Sequence, residues 1–145
     1  MERRVVITGL GAITPIGKTV EENWKAIKNK ECGVDKITLF DTTEYKTKLA
    51  AEVKNYDATE YFDAKQAKRL DRSSQFAIIA AREALKDSNI TEGNTNLERV
   101  GIFVSSGIGG LITIQEEART LCEKGNKRVS PMFIPMSIAN MPSCN

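Results

Sequence analysis

The chain has 145 residues, 41% hydrophobic and 28% charged, with a formal net charge of +2, a composition typical of an ordinary globular domain. This charge gives no case for nucleic-acid or membrane-surface binding, and no apolar run approaches a membrane span. Histidine is absent, so the commonest general base and metal ligand are missing, and we expect no metal or other cofactor. Three cysteines without CxxC spacing favour free thiols in a reducing compartment, and we expect a cytoplasmic protein.

The first predicted element is a buried strand at residues 5–9, followed by a loop at residues 10–17. Gly9-Leu10-Gly11 has the start of a dinucleotide-binding fingerprint, but the third glycine is replaced by Thr14. Pro15 disfavours helix at Thr14, so no helix begins where a pyrophosphate would need one. The pattern therefore argues against nucleotide binding.

Thr19 and Glu22 fit a capping box at the start of a short helix. Val20, Trp24 and Ile27 then fall on one apolar face, and we interpret Trp24 as a core residue. A short strand is expected at residues 49–53.

A basic stripe follows, with Lys65, Lys68, Arg69 and Arg72 at helical spacing. Two interpretations remain open at this point. Such a face is usually only solvated, and the alternative is a docking patch for an acidic partner.

The second half of the chain predicts a deeply buried helix at residues 74–87, a strand buried on both faces at residues 100–104, and a helix at residues 113–123 capped by Gly125. Between the last two lies Ser-Ser-Gly-Ile-Gly-Gly, residues 105–110, with Ile108 exposed at the tip. This loop is either a plain connection or a ligand-binding loop at the carboxyl end of a strand. A second basic cluster contains Lys127 and Arg128, and a short helix is expected at residues 137–141.

Taken together in chain order, five segments resemble the elongating β-ketoacyl-acyl carrier protein synthases, most nearly those of dissociated bacterial fatty acid synthesis. The segments are residues 4–17, Phe40-Asp41, residues 69–72, residues 105–110 and residues 130–141. No one of them is decisive, but five in register are specific.

The resemblance implies a thiolase-like α/β fold with five layers, α-β-α-β-α, of which residues 1–145 cover the front part of the first half. It implies a decarboxylative condensation of an acyl group with malonyl-acyl carrier protein, catalysed by a homodimer. The chain is expected to be a partial N-terminal synthase domain, with the nucleophilic cysteine, two histidines and a lysine of the family lying beyond Asn145.

The roles that the resemblance carries to this chain are not catalytic. Ile108 is expected to line the acyl-chain pocket, and Phe133 to reach across the dimer interface toward the partner's pocket. Two basic clusters match positions that meet the acidic helix of acyl carrier protein: Lys65, Lys68 and Arg69, and Lys127 and Arg128. The resemblance thus favours the docking interpretation of the basic stripe.

Cys144 lies near the position of the family nucleophile but departs from its pattern, because it follows Met141-Pro142-Ser143 instead of a run of small residues. We expect an ordinary thiol there. Two alternatives to a fatty acid synthase remain: a ketosynthase of a polyketide pathway, and a truncated interaction module without turnover.

Overall fold

The computed structural model describes residues 4–145, which divide into two compact units. Unit 1 contains residues 4–56 and 80–90, and unit 2 contains residues 57–79 and 91–145. The longest helix of the described residues contributes to both, residues 72–79 to unit 2 and the rest to unit 1.

In unit 1, helix α1 (Val20–Lys28) is followed by an antiparallel pair of short strands, β1 (Val34–Lys36) and β2 (Leu49–Ala51), with Asp35 opposite Ala50. The predicted cap is confirmed, since the Glu22 N–H donates to Thr19 Oγ1 at 3.2 Å. The Glu22 carboxylate accepts instead from the Lys18 N–H. The core interpretation of Trp24 is wrong, because its side chain is 59% exposed and Ala26 is buried in its place.

Helix α2 (Ala64–Ala67) of unit 2 begins after Asp63, whose carboxylate caps it. Helix α3 (Arg72–Ser88) confirms the helix predicted at residues 74–87. Its predicted deep burial is only partly correct, since its buried residues are Ser74, Gln75 and Ile79. Helix α4 (Leu111–Lys124) confirms the helix predicted at residues 113–123 and ends at Gly125 as expected.

Short helical segments complete unit 2. Helix α5 (Phe133–Ser137) lies earlier than the helix expected at residues 137–141. Single 3₁₀ turns occupy Ala58–Glu60, Leu97–Arg99, Asn126–Arg128 and Met141–Cys144.

The two strands predicted at residues 5–9 and 100–104 do not form. Residues 4–8 and 100–103 are exposed and irregular, with Phe103 96% exposed. A strand buried on both faces needs hydrogen-bonded neighbours on its edges. In the described part of the chain, β1 and β2 pair only with each other, so neither apolar run has such a neighbour.

Glycines allow the first loop to pack against the end of α3 within unit 1. A Cβ on Gly9 or Gly11 would collide with backbone carbonyl oxygens of Ala84 and Ala80, respectively. The Gly9-Leu10-Gly11 pattern therefore serves close backbone packing, which explains the glycines without a nucleotide.

One carboxylate then ties this loop to α1. Glu83 Oε2 accepts from the Ala12 N–H at 2.9 Å, and Oε1 accepts from the Val20 N–H at 2.8 Å. Asp87 Oδ2 accepts from the Leu10 N–H at 2.9 Å. The two carboxylates therefore fix the backbone of the first loop, and Glu83 also holds the N-terminus of α1.

We predict that the isolated 145-residue chain shows no sharp cooperative unfolding transition as a monomer. Among the described residues the buried hydrophobic ones are Ala26, Phe62 and Ile79, too few to offset the conformational entropy of a chain of this length. Exposed apolar runs also favour association between chains. Calorimetry with sedimentation velocity measures both properties, and a sharp transition from a monomer would contradict the prediction.

Candidate functional site

The glycine-rich loop at residues 105–110 is anchored to the segment that follows α5. The Ser106 N–H donates to Ala139 O at 3.0 Å, and Ser105 Oγ donates to the same oxygen at 3.1 Å. One residue earlier, the Val104 N–H donates to Ser143 Oγ at 2.8 Å, and that hydroxyl donates back to Val104 O. These two hydroxyls therefore hold the start of the loop against the segment that follows α5.

Two glycines at the end of the loop are required by its geometry. Gly109 has φ +89°, in the left-handed region, and a Cβ there would collide with Ser137 O. A Cβ on Gly110 would collide with Met136 O. Gly109 and Gly110 are both buried, whereas a Cβ on Gly107 would meet nothing within 4 Å. The loop is therefore fixed at its ends and open at its tip.

Ile108 lies at that tip, with its side chain 69% exposed. This agrees with the sequence prediction of an exposed apolar residue, and it places Ile108 where another molecule or segment can contact it. Phe133 is the first residue of α5 and is partly buried. Both side chains belong to unit 2, and their expected roles in an acyl pocket and at a dimer interface stay predictions.

A buried carboxylate lies beneath the loop. Asp71 is 5% exposed and directly precedes α3. Oδ1 accepts from the N–H and Oγ of Ser73 at 2.9 and 2.8 Å, and Oδ2 accepts from the N–H and Oγ1 of Thr113 at 3.2 and 2.7 Å. Burial raises the pKa of Asp71, but the hydrogen bonds from Thr113 and Ser73 outweigh it and hold the pKa below its usual value.

Sequence reasoning included Asp71 only as part of a family segment and gave it no role. An acidic residue two positions before a serine at a helix start is the signal that could have identified it as a cap. Its second partner, Thr113, is 42 residues away, and no local pattern predicts such a contact.

The basic residues do not form one helical stripe, which corrects the sequence prediction. Lys65 lies in α2, which ends at Ala67, and Lys68 and Arg69 lie in the turn beyond it. All three are exposed. Arg72 belongs to α3 and is partly buried, with its guanidinium 4.9 Å from the centre of the Phe76 ring. Helix α2 ends before Asp71, whose carboxylate caps the start of α3.

The second basic cluster, Lys127 and Arg128, lies on the 3₁₀ turn after α4 and is exposed. The Ser130 N–H donates to Glu117 Oε2 at 2.9 Å, which fastens the end of this turn to α4. Both clusters thus present cations on ordered backbone of unit 2.

Cys144 is exposed at the end of the last 3₁₀ turn, with its Sγ 4.0 Å from Asn140 O. The chain contains no histidine to act as its base. Its expected behaviour as an ordinary thiol stays a prediction.

Unit 1 carries an open groove of about 590 Å³ that sequence reasoning missed. Trp24, Leu10 and Val20 form its apolar wall. Its carboxylates include Glu83 and Asp87, which already accept hydrogen bonds from backbone N–H groups of the first loop. Each helix within the described residues 4–145 is too short or too polar to span a membrane.

Solved ketosynthase structures share this fold. A type II polyketide ketosynthase in complex with its acyl-carrier protein and bound to the hexaketide superposes with a TM-score of 0.78 at 25% identity, covering 99% of this chain and 38% of that chain. A β-ketoacyl synthase from Burkholderia phymatum STM815 superposes with a TM-score of 0.77 at 23% identity, covering 99% of this chain and 36% of that chain. This likeness is one of fold alone. The fold is therefore the thiolase-like α/β fold of ketosynthases, present in part.

Residues 2–145 match the family described as beta-ketoacyl synthase, N-terminal domain, and the chain belongs to that family. A 3-oxoacyl-[acyl-carrier-protein] synthase 2 from Staphylococcus aureus (strain N315) is 45% identical over 139 residues, 96% of this chain and 34% of its own length. The synthase 2 of Synechocystis sp. (strain ATCC 27184 / PCC 6803 / Kazusa) is 42% identical over 142 residues, 98% of this chain and 34% of its own length. The chain thus spans about a third of these relatives.

Proposed function

We propose that this chain is the N-terminal part of a β-ketoacyl-acyl carrier protein synthase of fatty acid elongation, a cytoplasmic acyltransferase that works as a homodimer. The observation that carries the proposal is the 45% identity to a 3-oxoacyl-[acyl-carrier-protein] synthase 2 across 96% of the chain. We use the term complete polypeptide for the proposed full-length synthase that contains these residues.

The proposed reaction has two stages. An acyl group moves from a carrier-protein thioester to an enzyme thiol, releasing the carrier thiol. Malonyl-carrier protein then loses carbon dioxide, and the resulting enolate attacks the acyl thioester to give β-ketoacyl-carrier protein and the free enzyme thiol. Hydrogen bonds aimed at the developing enolate oxygen lower the barrier of such a step.

In this proposal residues 1–145 bind substrate and partner, and the catalytic groups lie beyond Asn145. Ile108 lines the acyl-chain pocket, a role that its exposed position on a loop anchored at both ends supports. Phe133 reaches toward the pocket of the partner protomer. No cofactor is required, because loss of carbon dioxide from malonyl-carrier protein leaves the carbanion that attacks the acyl thioester.

Acyl carrier protein is the proposed partner of the two basic clusters. The clusters are exposed, and a related ketosynthase has been solved in complex with its acyl-carrier protein. Exposed cations on ordered backbone suit an acidic protein surface, which they attract over distances of the Debye length.

The test is to incubate the complete polypeptide with acyl- and malonyl-carrier protein and to detect β-ketoacyl-carrier protein by mass spectrometry. One condensation per acyl group supports the fatty acid assignment. Repeated condensation without reduction supports a polyketide ketosynthase, a candidate favoured by the 0.78 TM-score to a type II polyketide enzyme. Absence of product would contradict both.

A non-catalytic interaction module is the remaining alternative. The coding sequence after Asn145 distinguishes it. An open frame that encodes an elbow cysteine and two histidines supports the enzyme, and a stop codon supports the module.

We predict that purified residues 1–145 form no β-ketoacyl product from acyl- and malonyl-carrier protein. The chain has no histidine to act as a general base, and in our proposal the nucleophilic cysteine lies beyond Asn145. The measurement compares wild type with Cys144→Ser in the same assay. Turnover that disappears in the serine variant would make Cys144 a nucleophile, against this prediction.

A further inference from the structure

The carboxylate of Asp71 caps two helices at once. One oxygen accepts the N–H and hydroxyl of Ser73 in the first turn of α3, and the other accepts the N–H and hydroxyl of Thr113 in the first turn of α4. Helix α4 depends on this external cap, because its own N-cap residue is Gly110, which has no side chain to accept from the helix. Asp71 and Thr113 are 5% and 6% exposed, so water does not readily replace either partner.

This contact lies at the base of the loop that presents Ile108. A Cβ on Gly110 would lie 2.9 Å from Asp71 Cγ and Oδ2, so the loop end packs directly on the carboxylate. The Gly110 N–H donates to Ser137 O at 3.1 Å, and the Gly109 N–H donates to Ser106 Oγ at 3.0 Å. Asp71 and Ser137, the last residue of α5, therefore both hold the end of the loop.

We propose that Asp71 is a positioning residue that sets acyl-chain-length selectivity by holding the base of the Ile108 loop against α4. The proposal rests on the proposed function, in which Ile108 lines the acyl pocket. Asp71 touches no substrate and acts only through Gly110 and Thr113. Small displacements of a positioning element have large effects on a site, so loosening this base should change which chains fit.

The test uses the complete polypeptide and the ratio of kcat/KM for myristoyl to hexanoyl thioesters. Asp71→Asn places an amide N–H₂ against donors of Ser73 or Thr113, and we expect the ratio to fall roughly tenfold. The long chain reaches Ile108 and loses ordered contacts, whereas the short chain makes few contacts at that depth. A merely structural defect lowers the active fraction equally for both substrates and cancels from the ratio.

Three further variants keep the result interpretable. Thr113→Val removes the hydroxyl donor and should lower the ratio even where Asp71→Asn fails to fold, while Thr113→Ser keeps the donor and should preserve it. Asp41→Asn is the matched control. Asp41 also accepts the N–H and hydroxyl of a residue two positions on, Thr43, but it is exposed and lies in unit 1. The myristoyl-to-hexanoyl ratio of Asp41→Asn should equal that of wild type.

Amide hydrogen exchange of the peptide covering residues 104–115 separates this inference from the proposed function. Faster exchange in Asp71→Asn together with a lowered ratio supports the inference. An unchanged ratio with active variants overturns it, whatever the exchange rate. A wild-type protein without condensing activity overturns the proposed function. If Asp71→Asn also leaves the exchange of this peptide unchanged in that inactive protein, Asp71 does not hold the loop.

Discussion

Reversing the charge of Lys65, Lys68 and Arg69 in the complete polypeptide is expected to lower kcat/KM for acyl-carrier-protein thioesters by more than tenfold. All three side chains are exposed, and favourable charge arrays raise association rates by roughly 10- to 1,000-fold. Replacement by glutamate turns attraction of an acidic partner into repulsion. Reaction with acyl-pantetheine or acyl-coenzyme A should change little, because a small thioester does not contact this surface.

The salt dependence provides the second readout. Exposed charges are screened beyond about 8–10 Å at physiological ionic strength, so the difference between variant and wild type should shrink as salt is added. A matched control reverses Lys25, Lys36 and Lys46, which are exposed residues of unit 1 and give the same change in net charge. An equal loss with carrier-protein and small thioesters would refute docking, and unchanged kinetics with both would show a merely solvated face.

Helices of this chain were predictable because their signals are local. Thr19 caps α1 by accepting from the N–H of Glu22, three residues later. Gly125 ends α4, as its position after the last helical turn indicates. The basic stripe was predicted wrongly for a related reason. Spacing alone cannot show that Asp71 starts a new helix and divides Lys65 from Arg72.

Contacts between distant residues were not predictable from the pattern. Glu83 binds backbone donors 71 and 63 residues away, and Asp71 binds Thr113 across 42. The apolar runs at residues 5–9 and 100–104 have the composition of buried strands, but a strand forms only where another strand accepts its hydrogen bonds. The Ile108 loop was located correctly because its glycines and hydroxyls lie together in sequence, whereas its anchoring to residues 137–143 required the structure.

Substitution of Ile108 by phenylalanine in the complete polypeptide is expected to shorten the acyl chains that are accepted. Ile108 is the one large apolar side chain of residues 105–110 and extends from a loop that hydrogen bonds to Ala139 and Ser137 hold at its two ends. Because both ends of the loop are anchored, we expect a ring at position 108 to take up volume within the pocket. Differences of a methylene or more in a pocket are worth about 1–3 kcal/mol, or roughly 10- to 200-fold in specificity.

The measurement is kcat/KM for a series of acyl-carrier-protein thioesters from butyryl to palmitoyl. In Ile108→Phe the values for long chains should fall at least roughly tenfold while those for butyryl and hexanoyl stay near wild type. Ile108→Leu, which keeps the volume, should leave the series unchanged, and Ile108→Ala should retain the long chains. Ile90→Phe controls for an added ring on another exposed loop, in unit 1. If the ratio of kcat/KM for long chains to that for short chains is the same in wild type and Ile108→Phe, Ile108 does not line the acyl pocket. A residue that lines the pocket cannot gain a ring without changing the space available to the chain.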